Sequence, residues 1–157
     1  TARGAVSGDC NAAGKPAAAL FERASEAAGI GMWECSLPDE QLAWSGVTCD
    51  IFGVPRDHAL ARRDALEFYS RASLATLQAT RKRALETGCG FTLDTEIVTA
   101  AGSRRWMRIT ATVDQDGDTP RRLFGLKQDI TEEKLLLEQA RYLAEFDAMT
   151  GISNRTR

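Results

Sequence analysis

The chain has 157 residues, 43% of them hydrophobic and 27% charged, with a net charge of −2 at pH 7. That composition fits a globular chain long enough to bury a core, and excludes a disordered or collagen-like one. So small a net charge gives no reason to expect nucleic acid or an anionic membrane as a partner, and no run of about eighteen apolar residues exists to span a bilayer.

Residues 1–16 are small and polar, with Gly4, Gly8, Gly14 and Pro16, and read as a flexible leader. They lack the continuous apolar centre of a secretory signal, so a cytoplasmic location is expected, although membrane helices further upstream are compatible with it. The cysteines, Cys10, Cys35, Cys49 and Cys89, are scattered without a C-x-x-C, and His58 is the lone histidine. This pattern predicts free thiols in a reducing compartment and no metal site.

Ala17 to Ala28 predicts a short helix with Leu20, Phe21, Ala24 and Ala27 on its apolar side and Gly29 as its stop. A helix of this length is marginal alone, so it is expected to dock on the domain or on a second copy. Ile30–Leu37 and Gln41–Ser45 flank Pro38-Asp39-Glu40, two strands and a turn. Val47–Phe52 is a short helix closed by Gly53 and Pro55, and Arg56–Tyr69 is weakly helical without firm bounds. Leu74, Leu77, Arg81, Ala84 and Leu85 mark a clearer helix, with Ser70 or Ser73 as cap and Gly88 as terminator. Arg81-Lys82-Arg83 spreads around that helix and carries no interleaved aromatics, so it reads as a solvated face.

Two strands follow, Phe91, Leu93, Thr95 and Ile97 alternating on one, Met107, Ile109, Ala111 and Val113 on the next. Ala101-Gly102-Ser103 and Asp116-Gly117-Asp118 are the turns. In the last strand Phe124, Leu126, Gln128 and Ile130 fall on one face, and Leu123, Gly125, Lys127 and Asp129 on the other. Thr131 is the expected N-cap of a closing helix, with Glu132 and Glu133 in its first turn, while Lys134 breaks the capping box. Leu136, Ala140, Leu143 and Phe146 then form an apolar stripe at helical spacing.

The order is two strands, helices, then three strands, with short turns that force antiparallel pairing. It gives an α+β domain, one five-stranded sheet with short helices on one face. No nucleophile motif, phosphate loop or His–carboxylate spacing is visible, and no catalytic or metal-binding residue is assigned.

Two motifs carry a family resemblance. Asp129-Ile130-Thr131 is similar to the Asp-Ile/Val-Thr signature that closes many PAS domains, and residues 30–131 resemble a PAS fold between flanking helices. Asp147-Ala-Met-Thr150-Gly151-Ile-Ser-Asn154-Arg155 resembles the D-x-L-T-G-L-x-N-R opening of GGDEF domains. The resemblance implies a leader (1–16), an N-terminal helix (17–29), a sensory PAS domain (30–131), a signalling helix (132–146) and the beginning of a GGDEF domain (147–157). It further implies a homodimer that controls a diguanylate cyclase making cyclic di-GMP. The catalytic loop would lie beyond Arg157, so these residues alone are not expected to be an enzyme. The alternatives are a ligand-free dimerisation and relay module, or the input of a GGDEF-EAL phosphodiesterase.

PAS cavities hold haem, a flavin, a carboxylate or nothing, which the resemblance carries over as a possible small-molecule ligand of unknown identity. Haem would need an axial donor, for which His58 is poorly placed. A light-sensing flavin domain of the LOV type needs Asn-Cys-Arg-Phe and a Gln before the closing motif; this chain has Thr48-Cys49-Asp50-Ile51 and Lys127. Trp33, Trp44 and Trp106 read as core packing before ligand stacking. Trp33, Cys35, Thr95 and Gln128 are the candidate pocket residues, and Asp129, Ile130 and Thr131 the candidate transmission residues, with Arg105 or Arg108 as partners for Asp129.

Overall fold

The computed structural model describes residues 19–57 and 59–150, the last two by backbone alone. Residues 19–28 form α1, stopped by Gly29, whose positive φ of 69° breaks the helix. Then come β1 (Ile30–Ser36), β2 (Leu42–Trp44), α2 (Gly46–Phe52), α3 (Arg62–Ala65) running into a 3-10 turn at Leu66–Phe68, and α4 (Arg71–Thr87). β3 (Phe91–Val98), β4 (Arg104–Asp116), β5 (Thr119–Asp129) and α5 (Thr131–Thr150) complete the elements of the described residues.

The five strands form one antiparallel sheet in the order β2-β1-β5-β4-β3. The last strand therefore sits at the centre, between the first and the fourth. Alternation decides which side chains face the helices. Thr95 stands opposite Met107 and Leu93 opposite Ile109, and Thr95, Ile97, Met107 and Ile109 are all but inaccessible to solvent. With Phe52, Tyr69 and Leu77 from the helical layer they make the core, each large apolar side chain contributing about 1.5–3 kcal/mol by burial.

Local chemistry fixes the helices over this face. Ser70 accepts the Ser73 N–H at 3.3 Å at the start of α4, as its capping position demands. The buried Thr48 hydroxyl of α2 donates to the Met32 carbonyl (2.8 Å), and the Met32 N–H donates to Ser45 Oγ (2.8 Å), which ties α2 to β1. Arg105 reaches across from β4 and donates to the last carbonyls of α2, Asp50 O and Ile51 O, at 3.0 and 2.7 Å, a cation at the negative end of a helix.

The opposite sheet face is left open among the described residues, with Phe124 and Leu126 exposed on it. Phe21 of α1 stands beside them in a shallow groove with Met32. Of the two dockings expected for α1, burial on its own domain is not seen, since Leu20 and Phe21 remain 67% and 56% exposed in the single chain. An ion pair, Arg56 to Glu26 at 2.7 Å, links α1 to the domain.

Candidate functional site

β5 places an uncommon residue in the interior. Its inward positions are Leu123, Gly125 and Lys127, because these stand opposite Cys35, Trp33 and Gly31 on β1 and Val113, Ala111 and Ile109 on β4. Lys127 is 6% exposed. Its Nζ lies 4.9 Å from the ring centre of Phe52, 5.1 Å from Trp44, 5.3 Å from Trp33 and 5.8 Å from Tyr69. Trp44 and Phe52 are stacked at 4.4 Å, so two walls of this cage brace each other. The ammonium donates to Tyr69 Oη at 3.2 Å.

Two forces act on the amine. Burial disfavours its charge and pushes its pKa down to about 7, with the Cys35 thiol pulling weakly the other way. The four ring faces favour the cation electrostatically. Among the described residues no carboxylate pairs with it, and the indole N–H groups of Trp33 and Trp44 are buried without an acceptor. Unsatisfied buried donors are rare in a settled core and cost about 1–3 kcal/mol each.

Beside this cage is a cavity of about 60 Å³ whose wall includes Trp33, Cys35, Arg62, Tyr69, Arg81 and Lys127. The guanidinium-bearing side chains of Arg62 and Arg81 are only 18% and 19% exposed. Both reach Glu40 in the β1–β2 turn, at 3.5 and 3.3 Å. Burial pushes the Cys35 thiol up, against the lowering pull of Arg81 and Arg62, so the thiol stays protonated at neutral pH. Burial likewise holds the Tyr69 phenol above its ordinary range.

The second feature is the passage from β5 to α5. Ile130, 2% exposed, donates its N–H to Trp106 O at 2.8 Å, and its own carbonyl accepts the Lys134 N–H at 2.9 Å. Thr131 Oγ1 accepts the Trp106 N–H at 2.9 Å and donates to Asp129 Oδ1 at 2.6 Å, which also accepts the Thr131 N–H at 2.9 Å. So the last strand residue, the first helical residue and β4 are clasped without an intervening loop. Around them Asp94 accepts from Arg108 (2.8 Å) and pairs with Lys134 (3.0 Å), while Arg108 also reaches Glu133 (3.4 Å). These partners, Arg108 first, hold the Asp94 carboxyl below its usual range.

Several expectations are corrected here. Thr131 does not cap the helix; the helix begins on it, and the side-chain acceptor comes from Asp129 two residues back. Asp129 approaches Arg105 at 3.9 Å, but Arg108 goes to Asp94 and Glu133 instead. Of the four candidate pocket residues, Trp33 and Cys35 line the cavity. Gln128 does not, because it faces outward opposite Arg108 and is exposed. Thr95 is fully buried but spends its hydroxyl on Met107 O at 3.0 Å and stands apart from the cavity wall. Trp106 packs under α5, with Lys134 5.0 Å above its ring. The apolar stripe of α5 does not lie on its own sheet: Leu136, Leu143 and Phe146 are more than half exposed. Of the residues that resemble a GGDEF opening, Asp147 lies on α5 and the Thr150 backbone ends it; the Thr150 side chain, Gly151, Asn154 and Arg155 lie outside the described residues, as do His58 and residues 1–16. Among the described residues no three metal-ligating side chains cluster, and no helix is long and apolar enough to cross a membrane.

Residues 41–135 match the family model of the PAS fold. The chain belongs to the PAS fold family. This PAS domain is 27% identical over 110 residues to the sensor protein FixL of Bradyrhizobium diazoefficiens, a match covering 69% of the chain and 22% of FixL. It thus spans about a fifth of that relative. Among solved structures it is similar to a sensory box histidine kinase/response regulator from Burkholderia thailandensis (TM-score 0.66, 20% identity, 80% of this chain and 95% of that one). It is also similar to the N-terminal domain of a diguanylate cyclase with PAS/PAC sensor from Marinobacter aquaeolei (TM-score 0.62, 16% identity, 67% and 98%). At these identities the structural likeness concerns the fold alone.

Sequence reasoning missed Lys127, Tyr69, Arg62 and Arg81 as cavity residues. Nothing in the local pattern of β5 marked Lys127 as inward. The register that sends Cys35 and Trp33 inward on β1 sends Leu123 and Lys127 inward on β5, whereas the apolar count of the strand favours the Phe124–Leu126 face.

Proposed function

We propose that this PAS domain is the sensory input of a cyclic di-GMP enzyme and acts through α5 on a GGDEF domain that begins at Asp147, as a cytoplasmic homodimer. The observation that carries the reading is the clasp at residues 129–131. A shift of β5 or β4 has no slack to dissipate in, because Ile130 and Thr131 are both bonded to the Trp106 backbone at 2.8 and 2.9 Å, so the base of α5 moves with the sheet. The similarity of Asp147–Arg155 to a GGDEF opening supplies the nature of the output.

The occupant of the exposed α5 stripe in this reading is the same stripe of a second copy. Leu136 and Leu143 are 58% and 61% exposed, and apolar residues at this spacing on a projecting helix pair readily with a like helix. A cyclase that joins two GTP molecules needs two facing catalytic domains, so the geometry of such a pair is a natural point of control. The test uses the chain joined to its GGDEF segment, with cyclic di-GMP formation from GTP measured as an initial rate. Thr131→Ala and Asp129→Ala are expected to change that rate at least about fivefold, the scale of a usual coupling energy, without altering the GTP site. Unchanged rates in both would overturn the transmission role, and hydrolysis of cyclic di-GMP without synthesis would favour the phosphodiesterase output.

A further inference from the structure

Trp33, Tyr69 and Lys127 belong both to the aromatic cage and to the cavity wall, so the lysine stands at the boundary of the two. Its primary amine is 6% exposed as a residue and makes one hydrogen bond, to Tyr69 Oη at 3.2 Å. An amine buried without a counter-charge gives up its proton far more readily than a solvated one, and the neutral form is a nucleophile. The relay through residues 129–131 makes no use of it. Arg62 and Arg81 stand on the same wall, with the Trp33 indole, whose N–H has no acceptor. Among the described residues no carboxylate lines the cavity; Glu40, which the two arginines share at 3.5 and 3.3 Å, lies outside its wall. A nucleophile thus borders a space provided with donors for an anion that the protein does not supply.

We propose that Lys127 is a carbamylation site for carbon dioxide, the carbamate being held by Arg81, Arg62 and the Trp33 indole N–H. The lone pair of Nζ attacks the carbon of CO2 and an N–C bond forms. One C–O π pair moves onto oxygen, and the nitrogen releases one proton to the buffer. No oxidant, reductant or leaving group takes part. Charge selects CO2 over the other electrophiles that an amine accepts. An aldehyde or ketone would expel water and leave a neutral or cationic imine, which answers nothing in a wall already positive. The carbamate is an anion whose oxygens accept charge-assisted bonds from guanidinium groups. Size points the same way. At roughly 10–15 Å³ for each water-sized group, a volume of about 60 Å³ holds on the order of four to six heavy atoms. The three atoms of CO2 fit, and a bulky carbonyl compound does not. The adduct replaces a buried cation by an anion two residues before Asp129 on the same strand. The inference rests on the sensory reading of the domain for the use of that change as a signal, whereas the chemistry stands on the cavity itself.

The experiment equilibrates the whole chain with carbon-13-labelled CO2 at neutral pH, traps carbamates by ethylation with a trialkyloxonium salt and reads each lysine by peptide mass spectrometry. Lys82, an exposed lysine of α4, is the reference in the same sample. Lys127 is expected to carry at least about tenfold more adduct than Lys82, because an ordinary lysine, with a pKa of about 10.4, is almost wholly protonated there. At fixed CO2 pressure the yield on Lys127 rises with pH through neutrality. The Tyr69 phenol and the Cys35 thiol face the same space and burial keeps both protonated, with Arg62 and Arg81 on the wall, so the rise reports the amine. Arg81→Gln is expected to lower the yield at least about fivefold, the scale of a hydrogen bond to a charged group, and Lys127→Met to remove the corresponding carbamate resonance in the carbon-13 spectrum. Adduct on Lys127 no greater than on Lys82, or a yield unchanged in Arg81→Gln, overturns the inference. So does labelling of Lys127 by acetaldehyde and cyanoborohydride without labelling by CO2, which would make the site an imine-forming one. Should either variant not fold, the ratio of Lys127 to Lys82 in the unaltered chain decides alone. The relay reading stands or falls separately, because the Thr131→Ala rate effect is measured in buffer free of CO2.

Discussion

Two halves of one sheet face obey different rules. Under α4, the β3–β4 half buries Thr95, Ile97, Met107 and Ile109 almost completely, and the single polar group there, the Thr95 hydroxyl, is satisfied by Met107 O at 3.0 Å. Under α2 and α3, the β1–β2–β5 half buries a lysine with a single hydrogen bond, leaves two indole N–H groups without acceptors and adjoins a cavity that reaches the packed half at Phe91 and Ile109. The first half is what a sequence under selection for stability produces. The second accepts unfavourable burial, as sites that wait for a ligand commonly do.

Substitutions separate the halves. Ile97→Ala, in the packed half, leaves a void that the surrounding sheet cannot close, and is expected to cost about 3 kcal/mol in urea unfolding. Lys127→Met, in the other half, removes a buried cation and is expected to preserve or raise the melting temperature at neutral pH. Its clearest mark is in the pH dependence. The folded amine has a pKa near 7 and the unfolded one near 10.4, so between those values the unfolded chain holds a proton that the folded chain lacks. Stability of the unaltered protein therefore rises with pH above about 7, by about 1.4 kcal/mol per pH unit at most, relative to Lys127→Met. Tyr69, which burial keeps protonated, lowers the stability of both proteins above roughly pH 10 and leaves that difference in place. Cys35, Arg62 and Arg81 face the same space, and the cysteine thiol stays neutral over the lower part of this range.

Smaller effects belong to the junction. Thr131→Ala deletes the acceptor of the Trp106 N–H and the donor to Asp129, and is expected to cost about 1 kcal/mol, with faster amide exchange at residues 130–134. Asp94→Asn weakens the links to Arg108 and Lys134 and should cost under about 1 kcal/mol at pH 7. Because the folded carboxyl is held below its unfolded pKa, that difference is full above about pH 4 and fades as acid protonates the folded group.

The packed half was legible in the sequence and the other half was not, for a physical reason. Phe91 to Ile97 and Met107 to Val113 alternate cleanly, so periodicity alone placed every inward residue, and Gly88 and Ser70 bounded α4 by their backbone and capping preferences. β5 offers Phe124 and Leu126 on one face and Leu123 and Lys127 on the other, and hydrophobicity points to the wrong side. Only pairing with β1 settles the register, a long-range fact absent from the local pattern. Gln128 was therefore placed in the pocket in error. Arg62 was hidden for a different reason: α3 is four residues long, too short to show a period. The Asp129-Ile130-Thr131 clasp was visible as a motif, although its bonds run to Trp106 and not to the helix alone.

The division of the sheet face rests on a lysine that is dry, caged and without a counter-charge. Side-chain NMR titration of Lys127 in the unliganded chain measures this directly. A midpoint near 7 is expected from its burial; a midpoint near 10.4, that of a solvated lysine, would contradict it.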